Sequence, residues 1–468
     1  MATTTAGTSV RRPATARRLD RAEIVFALAA FAALCAIALS FAPRLVEPDD
    51  HAYQASIVAI TQGHWLTLST AQADALGEQL GSSLAPPGQL GTGGAAPPAI
   101  IQWVQLRDGR WISEKDPGYP FLAAPFQALG IIRLAPLFYG ALGCLGLFAG
   151  ARRWLGRFGG GAAVGLFCTS GAALLFAWRD YMPTFTDASL IAAGAGAMLW
   201  AVLAADATVA RRTWAGLAGF VALEAAVFTR YTDIVVLGCA TVAVAAAWRL
   251  RKVPAAALAW WLGSVAVFGA GIAVFDDLVY GGPLTSGYQP GEIQFSLSAI
   301  GPNLRYMPAH LLDAMPMLVL GLAAVVWIIA RWARLRRAGD EPAAAARRDL
   351  AVGVALAASW FSVWGLYCAY TWTANPFVTT LQSARFYVPA LGPIALLGAW
   401  LLVRVPHRTS LAAATSVAVA AAMFGLGLWS FGDMRVNQGP QQVRNQQGPG
   451  GVIHGVVPPP KRLGDQGS

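Results

Sequence analysis

Three carboxylates and a histidine lie close together in the segment from Glu47 to Tyr53, directly after the first long apolar stretch. Asp49 and Asp50 are the candidate catalytic residues of this segment. A carboxylate at the edge of a membrane is partly desolvated, which raises its pKa and lets it take a proton from a hydroxyl nucleophile. We therefore expect proton-transfer chemistry here, with His51 and Tyr53 contacting the substrate.

Two other interpretations of this acidic segment stay open. Asp49 or Asp50 could be the N-cap of a helix, because an aspartate accepts hydrogen bonds from the first free backbone amides. Alternatively, the carboxylate oxygens together with His51 suit a divalent cation such as Mg²⁺, Mn²⁺ or Zn²⁺. No motif in the sequence requires a cofactor, and a divalent metal ion is the one candidate.

A second polar segment begins at Glu114 and contains two prolines, which end any helix and fix a turn. Lys115 offers a compact cation to a phosphate group, and Tyr119 could contact the same ligand. A turn at the membrane interface, with the lysine amine reaching the headgroups, is the competing interpretation.

Further charges lie at the ends of apolar stretches, where they either face a polar cavity or pair with one another. In a cavity, Arg179, Asp180, Asp187 and Arg230 would bind substrate. As structural elements, Arg179 and Asp180 could form an ion pair and Asp187 could cap a helix. Glu224, inside an apolar stretch, could pair with Arg230.

The last two candidates for substrate binding are Tyr288 and Arg385. Tyr288 ends a Gly-rich segment that begins at Tyr280 and would let the backbone approach a ligand closely. The segment lacks the lysine and the strand-to-helix context of a nucleotide-binding loop, so we exclude a P-loop. Arg385 could hold a lipid phosphate through two parallel hydrogen bonds, although anchoring at the membrane interface is the commoner role of such an arginine.

The composition indicates what must position these residues. Of the 468 residues, 56% are hydrophobic and 12% are charged, whereas soluble domains contain about 25% charged residues. This excludes an ordinary soluble enzyme. The net charge of +10 does not indicate nucleic acid binding, because basic residues collect in the cytoplasmic loops of membrane proteins. The five cysteines lie in apolar stretches and form no metal-binding motif.

Eleven apolar stretches approach the about 20 residues that a membrane-spanning helix needs. They do not alternate as barrel strands do, so we predict an all-α polytopic membrane protein. The predicted spans are Ala22 to Ala42, Ile131 to Ala151, Gly160 to Trp178, Ser189 to Ala205, Trp214 to Phe228, Ile234 to Trp248, Ala256 to Phe275, Met315 to Ala330, Leu350 to Tyr370, Tyr387 to Val403 and Leu411 to Phe431.

Charge in the short connections predicts the orientation. Alternate connections hold 21 of the 34 Lys and Arg residues and six acidic residues, which gives that side a net charge of +15. Basic short loops stay in the cytoplasm. We therefore expect a multi-pass protein of the inner (plasma) membrane with a cytoplasmic amino terminus and an external carboxyl terminus.

We expect three regions along the chain. A basic cytoplasmic tail covers residues 1–21, the transmembrane domain covers 22–431, and a disordered external tail rich in Gly, Pro and Gln covers 432–468. Two outer loops, 43–130 and 276–314, are long enough to be functional.

The first outer loop has an internal organisation of its own. Trp65 to Leu80 is expected to form an interfacial helix, whereas the Pro- and Gly-rich stretch from Ala85 to Pro98 should be irregular. Both long loops follow predicted spans that end on the outer side, so we expect the candidate site there.

The order of the motifs resembles that of the GT-C membrane glycosyltransferases, in particular the bacterial relatives of protein O-mannosyltransferases and aminoarabinose transferases. The shared order is Asp-Asp with a nearby Tyr after the first span, then Glu-Lys-Asp-Pro-Gly-Tyr-Pro, then Arg-Arg-Trp-Leu-Gly after the second span. It continues in Phe228 to Asp233, Gly282 to Tyr288 and Arg385 to Pro389.

This resemblance implies a GT-C-like fold and a transferase that uses a polyprenyl phosphate sugar as donor on the non-cytoplasmic face. The acceptor would be a hydroxyl of a cell-envelope glycan, lipid or protein. The resemblance also implies that Asp49 is the general base with Asp50 beside it. Lys115 matches a position that contacts the donor phosphate, and Asp187 matches an acidic position at the start of the fourth span.

Cations can replace a general acid when the leaving group is a phosphate, because they neutralise its charge as it departs. Lys115, Arg385 and either Arg179 or Arg230 would do so here, and a single displacement would invert the anomeric centre. The partners expected from the sequence are the donor lipid, the bilayer and the acceptor, and no nucleic acid.

Two alternatives belong to other classes of protein. A non-catalytic membrane scaffold or assembly partner could retain the same topology. A secondary transporter would also contain many helices and intramembrane charges, but it usually has matching halves with broken helices, and the sequence contains no such symmetry.

Overall fold

The computed structural model describes residues 20–439, apart from positions 43–44, 46, 81–99, 101, 107, 289–292, 339–343 and 407. The described residues form 17 α-helices and one small sheet. The first nine helices are α1 (Arg21–Ser40), α2 (Pro48–Thr61), α3 (Thr70–Leu80), α4 (Gly118–Ala128), α5 (Ala135–Leu155), α6 (Gly159–Cys168), α7 (Gly171–Trp178), α8 (Thr184–Leu203) and α9 (Val209–Thr229). The other eight are α10 (Ile234–Arg249), α11 (Ala255–Tyr280), α12 (Ile300–Ala314), α13 (Leu318–Arg337), α14 (Ala344–Cys368), α15 (Thr380–Ala384), α16 (Leu391–Arg404) and α17 (Thr409–Asp433).

The predicted all-α polytopic membrane architecture is confirmed, but the count of eleven spans is not. Ten of the predicted spans each coincide with one helix, and Gly160 to Trp178 coincides with two. Only eight helices in the described part of the chain are long and apolar enough to cross a membrane. Helices α6 and α7 form a single stretch bent by 63°, and Val388–Arg404 is a shorter apolar helix. Helix α9 contains the buried charged residues Arg212 and Glu224, which lower its hydropathy.

The predicted pair of Glu224 with Arg230 does not form in the described part of the chain. The Glu224 carboxylate instead accepts a hydrogen bond from the Ser264 hydroxyl of α11, at 2.9 Å. A neutral donor from a neighbouring helix therefore satisfies this buried acid.

Helices α5 and α8 approach most closely through small residues. A Cβ atom added to Gly196 would lie 2.0 Å from the carbonyl oxygen of Gly146, so the two backbones are in direct contact. Small residues permit such contact between membrane helices, where packing replaces the hydrophobic effect as the force for association.

The first outer loop contains a three-stranded antiparallel sheet that the sequence did not predict. Its strands are β1 (Thr67–Leu68), β2 (Trp103–Gln105) and β3 (Trp111–Ser113), with β3 in the middle. Because Thr67 and Leu68 pair with β3, the helix predicted from Trp65 begins only at Thr70. The predicted irregular stretch from Ala85 to Pro98 lies outside the described residues.

The second outer loop contains helix α12, which is attached to the end of α14. The side-chain amide of Asn303 donates hydrogen bonds to the backbone carbonyls of Cys368 and Tyr370, at 2.8 and 2.9 Å. Cys368 is the last residue of α14, where a backbone carbonyl has no partner within the helix. Asn303 therefore fixes the loop next to the outer end of α14.

The helix ends lie alternately on two faces of the bundle. The basic connections lie together on one face, where Arg152 of α5 pairs with Glu23 of α1 and Trp154 donates a hydrogen bond to Asp349 of α14 at 3.0 Å. The site residues described below lie on the opposite face. The cytoplasmic position of the basic face stays a prediction.

The last described residues correct one predicted boundary. The disordered tail was predicted from residue 432, but α17 extends to Asp433 and a π-helical turn follows from Met434 to Gln438. The Gln438 side chain accepts a hydrogen bond from the Leu381 amide of α15 at 2.9 Å, which holds this end in place. Residues 1–19 and 440–468 lie outside the described part of the chain.

Candidate active site

Helix α2 places the acidic residues of the first outer loop. Glu47 is the N-cap of this helix and Pro48 is its first residue, so that Asp49 and Asp50 lie in the first turn. The backbone amide of Glu47 donates to Asp50 Oδ2 at 3.0 Å. Glu47 thus holds the N-cap position predicted for Asp49 or Asp50, and Asp50 completes the cap by accepting the Glu47 amide. Both aspartates lie at the positive end of the helix dipole.

Arg179 lies at the centre of a buried charge network. Its Nη2 atom donates to Glu47 Oε2 at 2.8 Å and to Asp50 Oδ2 at 2.6 Å, and the residue is only 1% exposed. The predicted Arg179–Asp180 pair is therefore wrong. The arginine follows α7 and connects the bent α6–α7 stretch to the start of α2.

Asp49 is held between two cations from distant parts of the chain. Lys115 Nζ lies 3.1 Å from Asp49 Oδ1, and Arg385 Nη1 lies 2.7 Å from Asp49 Oδ2. Arg385 also contacts Glu47 Oε2 at 2.8 Å, so that Glu47 bridges the two arginines of the site. One carboxylate thus occupies the position between a lysine and an arginine.

The charge environment corrects the expected basicity of Asp49. Burial alone raises the pKa of the carboxyl, but the Lys115 and Arg385 charges together outweigh burial and hold the pKa well below its usual range. The carboxylates of Asp49 and Glu114 likewise raise the pKa of Lys115 in spite of burial. In this resting arrangement Asp49 is therefore ionised but a weak base.

The second outer loop reaches Lys115 through Tyr288. The Tyr288 hydroxyl accepts a hydrogen bond from Lys115 Nζ at 3.2 Å, and Glu114 Oε1 lies 3.3 Å from the same nitrogen. A Cβ atom added to Gly287 would lie 2.4 Å from the Cα atom of Glu114, so only glycine permits this approach. The Gly-rich motif therefore brings two loops together around Lys115.

A second polar group adjoins the first. Arg230 Nε lies 3.9 Å from Asp187 Oδ2, and Arg230 Nη1 donates to the backbone carbonyl of Arg385 at 2.9 Å. Asp187 lies in the first turn of α8, and Pro183 holds the N-cap position predicted for it. Asp116, which is not among the predicted site residues, lies nearby, and burial raises its pKa to about 7 against the opposing charges of Arg230 and Lys115.

Two of the selected aromatic residues form a buried contact beside the site. The Tyr53 ring packs edge-on against the Tyr119 ring, with centroids 6.0 Å apart. The Tyr119 hydroxyl donates to the backbone carbonyl of Asp180. Burial raises the pKa of Tyr53 and Tyr119 well above the usual value, so both are neutral donors.

The structure does not bring His51 and Asp180 into the ion-pair network as far as the chain is described. The Nδ1 atom of His51 and the Oδ2 atom of Asp180 have no hydrogen-bond partner among the described residues. Burial lowers the pKa of His51 and raises that of Asp180 to about 7, which the Arg133 charge opposes only in part.

Asp180 should make the stability of the protein depend on pH. Its carboxyl stays protonated in the folded state up to about pH 7, whereas an unfolded aspartate ionises near about pH 4. The folded state therefore binds more protons between these values, and the wild type loses stability as pH rises through this window. We expect Asp180→Asn to melt at the same temperature as the wild type at about pH 4. Above pH 7 the variant should melt at a higher temperature than the wild type.

Thermal denaturation in detergent at several pH values measures this difference. A melting difference between wild type and Asp180→Asn that stays constant from acidic to neutral pH would contradict the assignment. Because both proteins share all other titrating groups, the difference isolates Asp180.

Several residues of the site are not among those predicted from the sequence. Glu47 was noted as an acid but not selected, although its spacing to Asp50 is that of a reciprocal N-terminal cap. The guanidinium carbon of Arg385 lies over the rings of Trp372 and Phe386, 5.3 and 4.7 Å from their centroids, within the range of cation–π attraction. Phe386 directly follows Arg385 in the sequence, whereas nothing in the sequence indicates that Trp372 packs against the same guanidinium.

The metal alternative has no support in the described part of the chain. No group of three or more His, Cys, Asp or Glu side chains there could hold a metal ion. Asp49 and Asp50 instead contact lysine and arginine side chains.

Comparisons with known proteins identify the fold. ArnT from Cupriavidus metallidurans bound to undecaprenyl phosphate has 14% sequence identity and a TM-score of 0.52, with 90% of this chain and 79% of that chain covered. Its apo structure has the same identity and coverage and a TM-score of 0.53. The apo oligosaccharyltransferase from Archaeoglobus fulgidus has 11% identity and a TM-score of 0.50, with 95% of this chain and 61% of that chain covered.

These proteins are membrane glycosyltransferases of the GT-C fold, so the predicted GT-C-like fold is confirmed. No protein-family model matches the sequence. No curated protein sequence matches it either.

Proposed function

We propose that this protein is a membrane glycosyltransferase that moves a sugar from a polyprenyl phosphate donor to an acceptor hydroxyl on the non-cytoplasmic face. One observation supports this most strongly: each oxygen of Asp49 contacts a different cation, Lys115 or Arg385. Two cations placed 3.1 and 2.7 Å from a carboxylate form a ready binding site for a phosphate group.

Binding of the donor would change the partners of Asp49. The donor phosphate takes Lys115 and Arg385 as its counter-ions, which removes the two charges that hold the pKa of Asp49 down. The burial that remains then raises the pKa of this carboxyl and makes it a stronger base. The site thus gains its base only when the leaving group is in place.

Sugar transfer follows as one displacement. The acceptor oxygen forms a bond to the anomeric carbon while the bond from this carbon to the phosphate oxygen breaks, and the electron pair leaves with the phosphate. Asp49 takes the acceptor proton, and Lys115 and Arg385 neutralise the charge that develops on the phosphate. Attack on the face opposite the leaving group inverts the anomeric configuration.

The fold supports a lipid-linked donor. ArnT, whose fold this chain shares, was crystallised with undecaprenyl phosphate. In this chain Lys115 lies just before α4, and Arg385 lies between α15 and the apolar helix α16. A phosphate held by both cations would lie at the ends of bundle helices, where its prenyl chain can remain in the bilayer.

Lys115→Met tests the phosphate site. Loss of one charge-assisted contact is expected to weaken binding of undecaprenyl phosphate by about 10- to 100-fold. Lys252→Met is the matched control, because Lys252 is exposed on the opposite face of the bundle. Titration of the purified protein with the lipid measures both. Equal binding by the Lys115→Met variant and the wild type would contradict the proposal and favour a non-catalytic scaffold.

A further inference from the structure

Gln102 has a backbone conformation that its residue type disfavours. Its φ angle is +55°, in the left-handed region, directly before strand β2. Side chains with a Cβ atom are strained there, and glycine would fit more easily. Strained residues of this kind often occur at functional sites, which makes the contacts of Gln102 informative.

Gln102 connects the two halves of the phosphate site. Its backbone carbonyl accepts a hydrogen bond from the Glu114 amide at 2.9 Å, next to Lys115. Its side chain is a hydrogen-bond partner of the Asp49 carboxylate. The left-handed turn thus allows one residue to contact Asp49 and the Lys115 segment at the same time.

The side-chain amide of Gln102 has one unused group. An ionised carboxylate only accepts hydrogen bonds, so the Nε2 group must be the one that donates to Asp49. The Oε1 atom is then directed away from Asp49. It is buried and has no hydrogen-bond partner among the described residues. A buried acceptor without a hydrogen-bond donor costs free energy, and a hydroxyl or amide of a bound ligand would remove this cost.

The donor sugar is the group that would lie beside this oxygen. If the phosphate occupies Lys115 and Arg385, and Asp49 takes the acceptor proton, the anomeric carbon must lie between them. The sugar ring, with hydroxyls on several carbons, then lies next to the partner of Asp49. The acceptor brings only its reacting hydroxyl close to this point.

We infer that Gln102 is a sugar-recognition residue, whose Oε1 atom accepts a hydrogen bond from a hydroxyl of the donor sugar while Nε2 positions Asp49. This inference rests on the proposed function. It assigns recognition of the sugar to the first outer loop and recognition of the phosphate to Lys115 and Arg385.

Binding of two kinds of lipid tests the inference. The probes are undecaprenyl phosphate and undecaprenyl phosphate that carries glucose, galactose or mannose. For the best-bound sugar lipid we expect Gln102→Met to weaken binding by about 5- to 30-fold, while binding of the bare lipid changes less than about twofold. Gln105→Met is the matched control, because Gln105 ends the strand β2 that Gln102 precedes, and its side chain donates to the Gly109 carbonyl at 3.2 Å.

A glycine variant separates recognition from folding. Gln102→Gly removes the side chain and also relieves the left-handed strain, so its melting temperature should be at least that of the wild type while the loss of sugar-lipid binding matches that of Gln102→Met. A merely structural role predicts the reverse, a lower melting temperature with unchanged discrimination between the two lipids.

The outcomes distinguish this inference from the proposed function. Equal weakening of both lipids, or no weakening of either, would overturn the role of Gln102 and leave the phosphate site intact. A wild type that binds the sugar lipids no more tightly than the bare lipid would also overturn it. A wild type that binds neither lipid would overturn the proposed function itself.

Discussion

Replacement of Asp49 by Asn is expected to reduce sugar transfer by about 10²- to 10⁴-fold, the usual contribution of a general base. The same variant should bind undecaprenyl phosphate at least as tightly as the wild type. In the wild type the carboxylate occupies Lys115 and Arg385, whereas an uncharged amide competes less with the phosphate for them. A variant that loses turnover but keeps or improves lipid binding would identify Asp49 as a base that competes with the phosphate for Lys115 and Arg385.

The matched control for this variant is Asp108→Asn. Asp108 also contacts an arginine, Arg110 at 2.6 Å, but the pair is exposed on the hairpin of the first outer loop. It should leave both transfer and lipid binding unchanged. Transfer by Asp49→Asn at the wild-type rate would exclude Asp49 as the base, and weaker lipid binding would indicate that the carboxylate supports the phosphate site instead of competing for it.

Replacement of Arg179 by Met should have the largest effect on stability. The guanidinium neutralises Glu47 and Asp50 in a fully buried position, at 2.8 and 2.6 Å. Removing one partner of a buried ion pair costs about 3–5 kcal/mol, because the other charge stays buried without its counter-ion. A large drop in melting temperature in detergent is the expected result.

Two further variants examine this effect. Arg157→Met breaks an exposed pair with Asp20 at 2.7 Å and should cost less than about 1 kcal/mol. Adding Asp50→Asn to Arg179→Met should recover part of the loss, since it removes one of the buried charges. If Arg179→Met melts like Arg157→Met, the buried network does not stabilise the fold.

Sequence reasoning predicted the fold class because spanning helices require long apolar runs that composition reveals directly. The bend between α6 and α7 and the small sheet of the first outer loop were not predicted. The strands have only two or three residues each, too few for a periodic pattern, and β2 and β3 pair across a short hairpin while β1 is distant in sequence.

The candidate site was predictable in its components but not in its pairing. Asp49, Lys115 and Arg385 were selected because a charge at the end of an apolar helix needs a reason to be there. Which acid meets which cation depends on how the helix ends converge. Arg179 contacts Glu47 and Asp50 from across the bundle and not its neighbour Asp180, and no spacing rule predicts such a contact.

The basicity of Asp49 illustrates the same limit. Burial is predictable from position along the chain, and it does raise the pKa of Asp116 and Asp180 to about 7. For Asp49 the two cations reverse the sign of the shift. The burial follows from the local sequence, whereas the two cations that lower the pKa, Lys115 and Arg385, come from distant parts of the chain.

A structure of the protein in complex with undecaprenyl phosphate tests the central claim most directly. We expect the phosphate to lie within hydrogen-bonding distance of both Lys115 and Arg385. The Asp49 carboxylate should no longer contact these cations and should lie closer to the position of the sugar. A phosphate bound elsewhere, with the contacts from Asp49 to Lys115 and Arg385 still at 3.1 and 2.7 Å, would contradict it.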